Sequence, residues 1–279
     1  MNNSSRLCQL VALFYLLLTL SPATASEKFI QDLQLGFTTK SGMPHLSKIQ
    51  PQANLDQAYS IQHDFVLSRE ESDDIAGYKA GLTSKPGQEK FKVKAPLSGV
   101  LFVSGHKKAN KVIRLSDAGK LMLETEIGYL LSKAIAQPIE SNAQLELYIE
   151  AIVPVIELPD LAFKSPKEIK GIDLVAANLA SHQFILGKKY ALKEIEAINE
   201  ISTQLKLNGE TVISGKATDA SGDQLSALRW LINHLLAQGY KLEAGNLLIT
   251  GALGKMIPAR SGDYVGDFGT LGQIKFSIE

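Results

Sequence analysis

Cysteine is nearly missing from this sequence, because Cys8 is the only one among 279 residues. It lies in an N-terminal stretch that we expect to be removed, so the mature protein has no thiol. A chain without thiols forms no disulfide, offers no thiolate to a metal ion and has no cysteine nucleophile. Chemistry based on sulfur is therefore excluded for the mature chain.

An excess of charge of either sign is also missing. Lys and Arg together number 29, and so do Asp and Glu. No overall field then attracts nucleic acid or an anionic membrane surface, so we expect the partner to be a small molecule. The five histidines show no spacing typical of a catalytic triad or of a zinc site, which argues against Ser-His-Asp hydrolysis and against zinc.

Long apolar runs are missing apart from Leu10 to Leu20. The single cation Arg6 precedes this run, and small residues with a proline follow it from Ser21 to Ser26. This order is typical of a secretory signal cut after Ala25, and the run is shorter than the ~20 residues of a membrane span. We expect residues 1–25 to be a signal peptide and the mature protein to be periplasmic and free of the membrane. The alternative is an uncleaved anchor helix.

The rest of the chain contains no linker rich in proline, glycine or serine, which favours a single domain. Apolar residues recur at helical spacing from Ala53 to Leu67, and this helix needs a larger surface to pack on. We assign residues 26–75 to an N-terminal helical lobe. Residues 76–279 are predicted to form a β-roll domain.

Short β-like runs that end at glycine or proline dominate this second part, for example Gly77 to Leu82 and Gly99 to Val103. Two helical patterns interrupt the strands. One runs from Asn142 to Val153 and stops at Pro154, and the other runs from Gln224 to Ala237. Strand runs with a few helices outside them predict an α+β fold with a rolled or barrel-like mixed sheet.

One strand-like run contains an unusual pair of acidic residues. Alternation places Glu124 and Glu126 on one face of the strand, while Leu123, Thr125 and Ile127 occupy the other. Like charges so close together repel each other, and glutamate is a poor strand former. A divalent cation shared by the two carboxylates would explain the arrangement.

A third glutamate, Glu157, has apolar neighbours on both sides, which indicates burial. A buried carboxylate that is ionised and unpaired is strongly destabilising, so Glu157 also needs a cationic partner. Carboxylate oxygens suit Mg²⁺ or Mn²⁺. The alternative is that Glu124 and Glu126 lie on a solvated edge and that Glu157 pairs with a lysine.

Several short motifs agree in order and in spacing with those of one known family. They are Ala58-Tyr59-Ser60-Ile61-Gln62, Gly77 to Ser84, Glu124-Thr125-Glu126, Ile149 to Glu157, Asn178, Trp230-Leu231 and Leu248 to Gly254. On these residues the chain resembles the branch of the fumarylacetoacetate hydrolase superfamily that contains 2-keto-4-pentenoate hydratase and 4-oxalocrotonate decarboxylase. The match extends over nearly all of the mature chain, and it implies the β-roll fold of that superfamily.

The resemblance also implies a metal site and a substrate. Glu124, Glu126 and Glu157 would hold Mg²⁺ or Mn²⁺, which a small 2-oxo acid chelates through its 1-carboxylate and its 2-oxo group. The cation would act as a Lewis acid and stabilise an enolate of the substrate.

The family's lysine falls on Lys79, which would bind substrate charge or relay a proton. Leu82 and the turn formed by Thr250, Gly251 and Ala252 would contact the substrate, the turn through its backbone N–H groups. Without the resemblance, Lys79 reads as a surface lysine and the turn as a plain glycine turn after a strand.

Two positions depart from the family pattern. Ser104 stands where catalytic members have an aspartate, and Ala180 stands where they have a serine. Ser181 and His106 are close in sequence and are the candidates to replace the lost groups. The loss of one positioned proton-transfer group lowers a rate by roughly 10²- to 10⁴-fold.

The sequence therefore predicts a metal-dependent lyase of the hydratase type that acts on a small 2-oxo acid. The alternatives are an exported protein that binds 2-oxo acids without turnover, a 4-oxalocrotonate-type decarboxylase, and a hydrolase that cleaves a C–C bond of acylpyruvates. The resemblance also implies assembly into a homo-oligomer, for which the sequence itself contains no evidence.

Overall fold

A computed structural model describes residues 25–195 and 197–279. Apart from Ala25, where the first helix begins, the predicted signal peptide lies outside the described residues. Within the two described ranges, no helix combines the length and the apolar character that crossing a membrane requires.

The described residues form seven α-helices and thirteen strands. The helices are α1 Ala25–Thr39, α2 Leu46–Ile49, α3 Leu55–Glu70, α4 Lys85–Phe91, α5 Asn142–Glu146, α6 Gly171–Ala176 and α7 Gln224–Ala237. The strands are β1 Ile75–Gly81, β2 Leu97–Phe102, β3 His106–Lys107, β4 Val112–Ile113, β5 Met122–Leu131, β6 Ile149–Leu158, β7 Gln183–Leu186, β8 Ser202–Leu207, β9 Glu210–Lys216, β10 Leu247–Ile249, β11 Ile257–Pro258, β12 Gly262–Asp267 and β13 Gln273–Ile278.

The strands form two sheets. The first sheet has eight strands. Seven of them lie in the order β2-β1-β10-β5-β6-β7-β3, and the eighth, β11, pairs with β5. Its pairs are mostly antiparallel, but β1 pairs with β10 and β3 with β7 in parallel. The second sheet has the order β4-β13-β12-β8-β9. This mixed, curled arrangement with helices confirms the predicted α+β fold.

Two predicted helices are confirmed, and each begins at a side-chain cap. Asn54 accepts a hydrogen bond from the backbone N–H of Gln57, whose side chain accepts one from the Asn54 backbone, so α3 starts with a capping box. Asp223 accepts from Ser226 N–H at the start of α7.

The predicted helix from Asn142 to Val153 is wrong beyond its first turn. Helix α5 ends at Glu146, and β6 takes over from Ile149, between β5 and β7. A strand forms here because half of its residues are β-branched and all of those from Ala151 on are buried, a context that overrides a helical apolar period. Pro154 does not stop a helix. It lies inside the strand opposite Ile127, whose carbonyl accepts from Thr250 N–H instead.

Three apolar clusters hold these layers together. The largest joins one face of the first sheet to the second sheet and to α7. A second lies between the N-terminal helices and the segment from Phe163 to Ala180. The third covers the other face of the first sheet and includes Val153, Val155 and Ile249.

A buried carboxylate fastens the N-terminal helices to α6. Asp173 accepts hydrogen bonds from the backbone N–H groups of Ser47 at 2.7 Å and Lys170 at 2.8 Å. It also accepts from Ser47 Oγ at 3.0 Å, and His45 Nδ1 lies 3.3 Å from it. Because α6 leads directly into the turn at Asn178, this network positions one wall of the site described below.

We expect Asp173→Asn to lower the free energy of unfolding by roughly 3 kcal/mol, because an amide NH₂ group would face several donors in a buried place. Urea titration followed by circular dichroism measures the change. Glu168→Gln is the control, since Glu168 pairs with Lys48 at the surface and its loss should change little. Equal effects of the two substitutions would contradict the assigned role of Asp173.

Candidate metal centre and pocket

Three glutamates meet on the face of the first sheet that carries the third apolar cluster. Glu124 and Glu157 are direct partners in the β5–β6 register, and Glu126 follows two residues along β5. Each offers one carboxylate oxygen, and the three atoms lie within 4.8 Å of one another. The predicted alternation is therefore present, and register adds the third carboxylate to the first two.

These carboxylates are not on a solvated edge. Strand β5 lies inside the sheet, Glu126 is 1% exposed and Glu157 is fully buried, while Glu124 is partly buried. The alternative interpretation was right about one point, because Glu157 does pair with a lysine. Its partner is Lys79, whose ammonium group donates a hydrogen bond to Glu157 Oε1.

Lys79 is a buried residue of β1, 3% exposed, and not a surface lysine. Besides Glu157, its Nζ lies 3.4 Å from the carbonyl oxygen of Leu179. Burial alone would lower the pKa of Lys79, but the carboxylates of Glu157, Glu124 and Glu126 raise it above its ordinary value. The lysine is therefore a fixed ammonium group beside three acidic side chains.

One ammonium group does not balance three carboxylates. Burial and the neighbouring Glu157 raise the pKa of Glu124 from 4.5 to about 8. Burial, Glu157 and Glu124 raise the pKa of Glu126 well above its ordinary value, although Gly251 N–H donates to Glu126 at 2.8 Å. Both shifts have the same physical origin, negative charge held close together and away from water.

The donor set fits a divalent cation. Glu157 Oε2 is buried and has no hydrogen-bond partner among the described residues, so one carboxylate oxygen of the cluster is a buried acceptor without a donor. The three carboxylates, the ammonium group and one divalent cation have formal charges that sum to zero. Clustered carboxylate oxygens without cysteine or histidine suit Mg²⁺, Mn²⁺ or Ca²⁺.

A left-handed turn forms the neighbouring wall. Three consecutive residues, Asn178, Leu179 and Ala180, have φ values of 50°, 49° and 53°. Only glycine and, less readily, asparagine adopt this region without strain, so Leu179 and Ala180 are strained. The Asn178 side chain holds the turn, because its Oδ1 accepts from Val100 N at 2.7 Å and its Nδ2 donates to Val100 O at 2.9 Å.

Two glycines make room for this turn. A Cβ atom at Gly81 would lie 2.6 Å from Leu179 Cδ2, and one at Gly99 would lie 3.0 Å from the carbonyl oxygen of Asn178. A side chain at Gly99 would therefore press on the backbone of the turn, whereas one at Gly81 would press on the side chain of Leu179. Sequence reasoning gave Leu179 no role, because its backbone conformation depends on contacts with β1 and β2.

Beside the carboxylates lies a pocket of ≈ 80 Å³ that includes Lys79 and Glu124 in its wall. The predicted substrate residue Leu82 also lines it. Sequence reasoning missed the other side chains of the wall, which come from α4, α6, the segment after β6, the left-handed turn and the loop before β11. They are Phe91, Pro159, Leu161, Leu174, Leu179 and Met256.

The predicted turn after β10 has a different immediate role. Thr250 Oγ1 donates to Gln224 Oε1 at 2.8 Å and to Ile127 O at 3.2 Å, which directs its hydroxyl into the core. The N–H of Gly251 is used by Glu126, so it positions a carboxylate. Ala252 is half-buried next to it and is not a lining residue of the pocket.

Neither of the suggested replacement groups, Ser181 and His106, lines the pocket, and Ser104 does not line it either. Ser104 is exposed, and its hydroxyl donates to Asp73 Oδ2 at 2.5 Å. His106 is exposed and stacks on the ring of Phe184, with 5.3 Å between ring centres. Ser181 is buried beyond the left-handed turn. Of the side chains that line the pocket, only those of Lys79 and Glu124 titrate.

Comparison with known proteins agrees with this architecture. The family model described as fumarylacetoacetate (FAA) hydrolase C-terminal matches residues 79–278. The 2-hydroxyhexa-2,4-dienoate hydratase of Comamonas testosteroni is 30% identical over 216 residues, 76% of this chain and 81% of that protein. The 2-keto-4-pentenoate hydratase 1 of Dechloromonas aromatica (strain RCB) is 31% identical over 218 residues, with coverage of 76% and 80%.

A solved structure has a similar fold. It is 4-oxalocrotonate decarboxylase from Pseudomonas putida G7, complexed with magnesium and adipate, with a TM-score of 0.85 and 22% sequence identity. The alignment covers 90% of this chain and 96% of that one. The curled mixed sheet and the buried carboxylates define an α+β protein with a candidate metal centre. The chain belongs to the fumarylacetoacetate hydrolase family, as the sequence motifs predicted.

The raised pKa of Glu124 has a measurable consequence. The pKa of Glu124 is higher in the folded protein than in the unfolded chain, so the folded state holds this proton more tightly. The stability that this proton gives is fully present below about pH 4.5 and is lost as the pH rises through about 8. With EDTA present, Glu124→Gln should therefore gain stability relative to the unsubstituted protein over this range, by a few kcal/mol in all.

Urea unfolding at several pH values tests the expectation through the slope of that difference, because titrating groups outside the cluster cancel between the two proteins. Within the cluster, Glu126 adds to the slope, since Glu124 raises its pKa. Glu210→Gln, at an exposed position of β9, is the matched control and should show a flat difference. A flat difference for Glu124→Gln as well would show that Glu124 titrates like an ordinary surface carboxylate.

Proposed function

We propose that this protein is a divalent-metal-dependent lyase of the hydratase type that acts on a short 2-hydroxydienoate or its 2-oxo form. The observation that carries the proposal is the cluster of Glu124, Glu126 and Glu157 with the unpartnered Glu157 Oε2, next to a pocket of small-molecule size. The names of the two curated relatives described above, both hydratases of such acids, support the reaction class.

Glu124, Glu126 and Glu157 would hold the cation, which is Mg²⁺ or Mn²⁺. When bound, it supplies Lewis acidity toward the carboxylate and 2-oxo oxygens of the substrate. Gly251 N–H keeps the Glu126 carboxylate in place, and the ladder between β5 and β6 keeps Glu124 opposite Glu157. The protein therefore presents its acidic oxygens on a rigid sheet, which limits reorganisation during the reaction.

Lys79 is the group that moves or holds a proton, at its Nζ atom. It lines the pocket, and Glu157 and the Leu179 carbonyl fix its direction. In hydration of 2-hydroxypenta-2,4-dienoate, the hydroxyl of water ends on C4. The enol proton and the remaining water proton end on C3 and C5. An ammonium group beside the substrate suits such proton transfers.

A second candidate function is binding of 2-oxo acids without turnover. It is favoured by one observation, that Ser104 is bonded to Asp73 at the surface while the side chains of Leu179 and Ala180 carry no group that transfers a proton. An active site with a single proton-transfer group besides its metal ligands would bind the acid and convert it slowly. Export to the periplasm, predicted from residues 1–25, is compatible with this function.

The absorbance of 2-hydroxypenta-2,4-dienoate follows the proposed reaction. We expect the mature protein with Mg²⁺ or Mn²⁺ to remove this absorbance, EDTA to stop the reaction, and Lys79→Met to lower kcat by roughly 10²- to 10⁴-fold. Lys85→Met is the matched control, because Lys85 is exposed at the start of α4 and should leave the rate unchanged.

An unchanged absorbance with either metal would overturn the hydratase proposal for this substrate. Calorimetry with pyruvate and oxalate would then separate the two functions. Metal-dependent binding without turnover supports the binding protein, and absence of binding overturns both.

A further inference from the structure

The polar residues of the pocket wall lie together at one place, and the rest of the wall is apolar. Of its ten lining residues, seven have apolar side chains, and Gly81 adds a bare backbone. The polar members, Lys79 and Glu124, lie together at the carboxylate cluster. The seven apolar residues are Leu82, Phe91, Pro159, Leu161, Leu174, Leu179 and Met256.

Lys79 is also the only cation among these lining residues, and its ammonium group is already bonded to Glu157. A further cation, Lys90, lies beside the lining residue Phe91, with its Nζ 5.1 Å from the centre of the ring. Lys90 is exposed and does not line the pocket. It can attract any anion toward the opening, but it leaves the interior without a partner for a second carboxylate.

Leu179 is a fixed part of the pocket wall. Its side chain is 6% exposed and packs over Gly81, and the left-handed turn fixes its backbone. The pocket volume of ≈ 80 Å³ is small beside the roughly 300–1,000 Å³ of pockets that bury drug-sized ligands. A chelated 2-oxo acid group therefore leaves room for a short tail.

We propose that the pocket selects 2-oxo acids with one carboxylate and a short apolar tail, and that it rejects the dicarboxylic acids. The inference rests on the proposed function, because it assumes that the 2-oxo acid end is held at the three glutamates. The tail then lies against Leu161, Leu174, Leu179 and Met256. A second carboxylate placed there would lose its water and gain no counter-charge, which is strongly unfavourable.

This selection separates two kinds of acid that occur among similar proteins. The curated hydratases named above act on acids with one carboxylate, whereas the substrate of the solved 4-oxalocrotonate decarboxylase has two. The fold similarity to the decarboxylase is high, but the apolar walls place this chain with the acids of the first kind.

Calorimetry with Mg²⁺ and stable 2-oxo acids tests the proposal without turnover. The matched pair is 2-oxopentanoate and 2-oxopentanedioate, which share the chelating end and differ in the second carboxylate. We expect the dioate to bind at least about 100-fold more weakly, the effect of burying one unpaired charge. Equal or tighter binding of the dioate would overturn the proposal.

Substitutions in the wall extend the test. Met256→Arg introduces a cation at a half-buried lining position, so it should strengthen binding of the dioate at least about 10-fold relative to 2-oxopentanoate. Met256→Leu is the control and should leave the ratio unchanged. Leu179→Ala should bind 2-oxohexanoate more tightly than the unsubstituted protein does, because the smaller side chain leaves more room for the tail. A further outcome would also contradict the proposal. If the unsubstituted protein binds 2-oxopentanoate and 2-oxopentanedioate equally well, and Lys90→Met then loses binding of the dioate, the second carboxylate is bound by Lys90.

Pyruvate, which has almost no tail, keeps this test apart from the proposed function. If pyruvate fails to bind with Mg²⁺, the assumed chelating site is wrong and the proposed function fails. If pyruvate binds and the two longer acids bind equally, the chelating site stands and only the selection fails.

Discussion

The candidate site is built around the repulsion among three carboxylates that the pairing of β5 with β6 brings close together. Register makes Glu124 and Glu157 direct neighbours, and alternation adds Glu126 on the same face. Lys79 relieves part of the repulsion through its bond to Glu157, and Gly251 N–H relieves part through Glu126. Burial, together with the repulsion that is left, raises the pKa of Glu124 and Glu126, and one oxygen of Glu157 is buried without a partner. Both features favour a divalent cation.

The surrounding elements keep this charged cluster beside an apolar pocket. Asp173 anchors α6 to the N-terminal helices, and α6 continues into the turn whose carbonyl at Leu179 faces Lys79. The turn is strained, and two hydrogen bonds from the Asn178 side chain to the backbone of Val100 offset that strain. Strain near a candidate site is typical of residues whose position matters for function. The same turn places an apolar side chain where a substrate tail would lie.

Local patterns predicted a good part of the fold and of the site. Helices α3 and α7, the alternation of Glu124 and Glu126 and the burial of Glu157 follow from spacing and from neighbouring residues. The segment after Glu146 was predicted wrongly, because an apolar run of β-branched residues has a helical period as well, and only its place between β5 and β7 decides the outcome.

The pocket walls could not be predicted in this way. Phe91, Leu161, Leu174 and Met256 come from four separate segments, and no local pattern brings them together. The conformation of Leu179 depends on the gaps at Gly81 and Gly99, which belong to other strands. For the same reason, the bond between Ser104 and Asp73 became visible only in three dimensions. Family motifs identified Lys79, but not its pairing with Glu157.

Titration of the purified, EDTA-treated protein with Mn²⁺, followed by electron paramagnetic resonance, shows whether the three glutamates bind a metal ion. We expect one bound Mn²⁺ per chain, with binding weakened more than about 100-fold in Glu126→Gln, because loss of a ligand should exceed the effect of losing an outer-shell partner. Glu150→Gln, on the exposed part of β6, should bind as the unsubstituted protein does. No bound Mn²⁺, or equal binding by all three proteins, would contradict the claim that these glutamates form a metal centre.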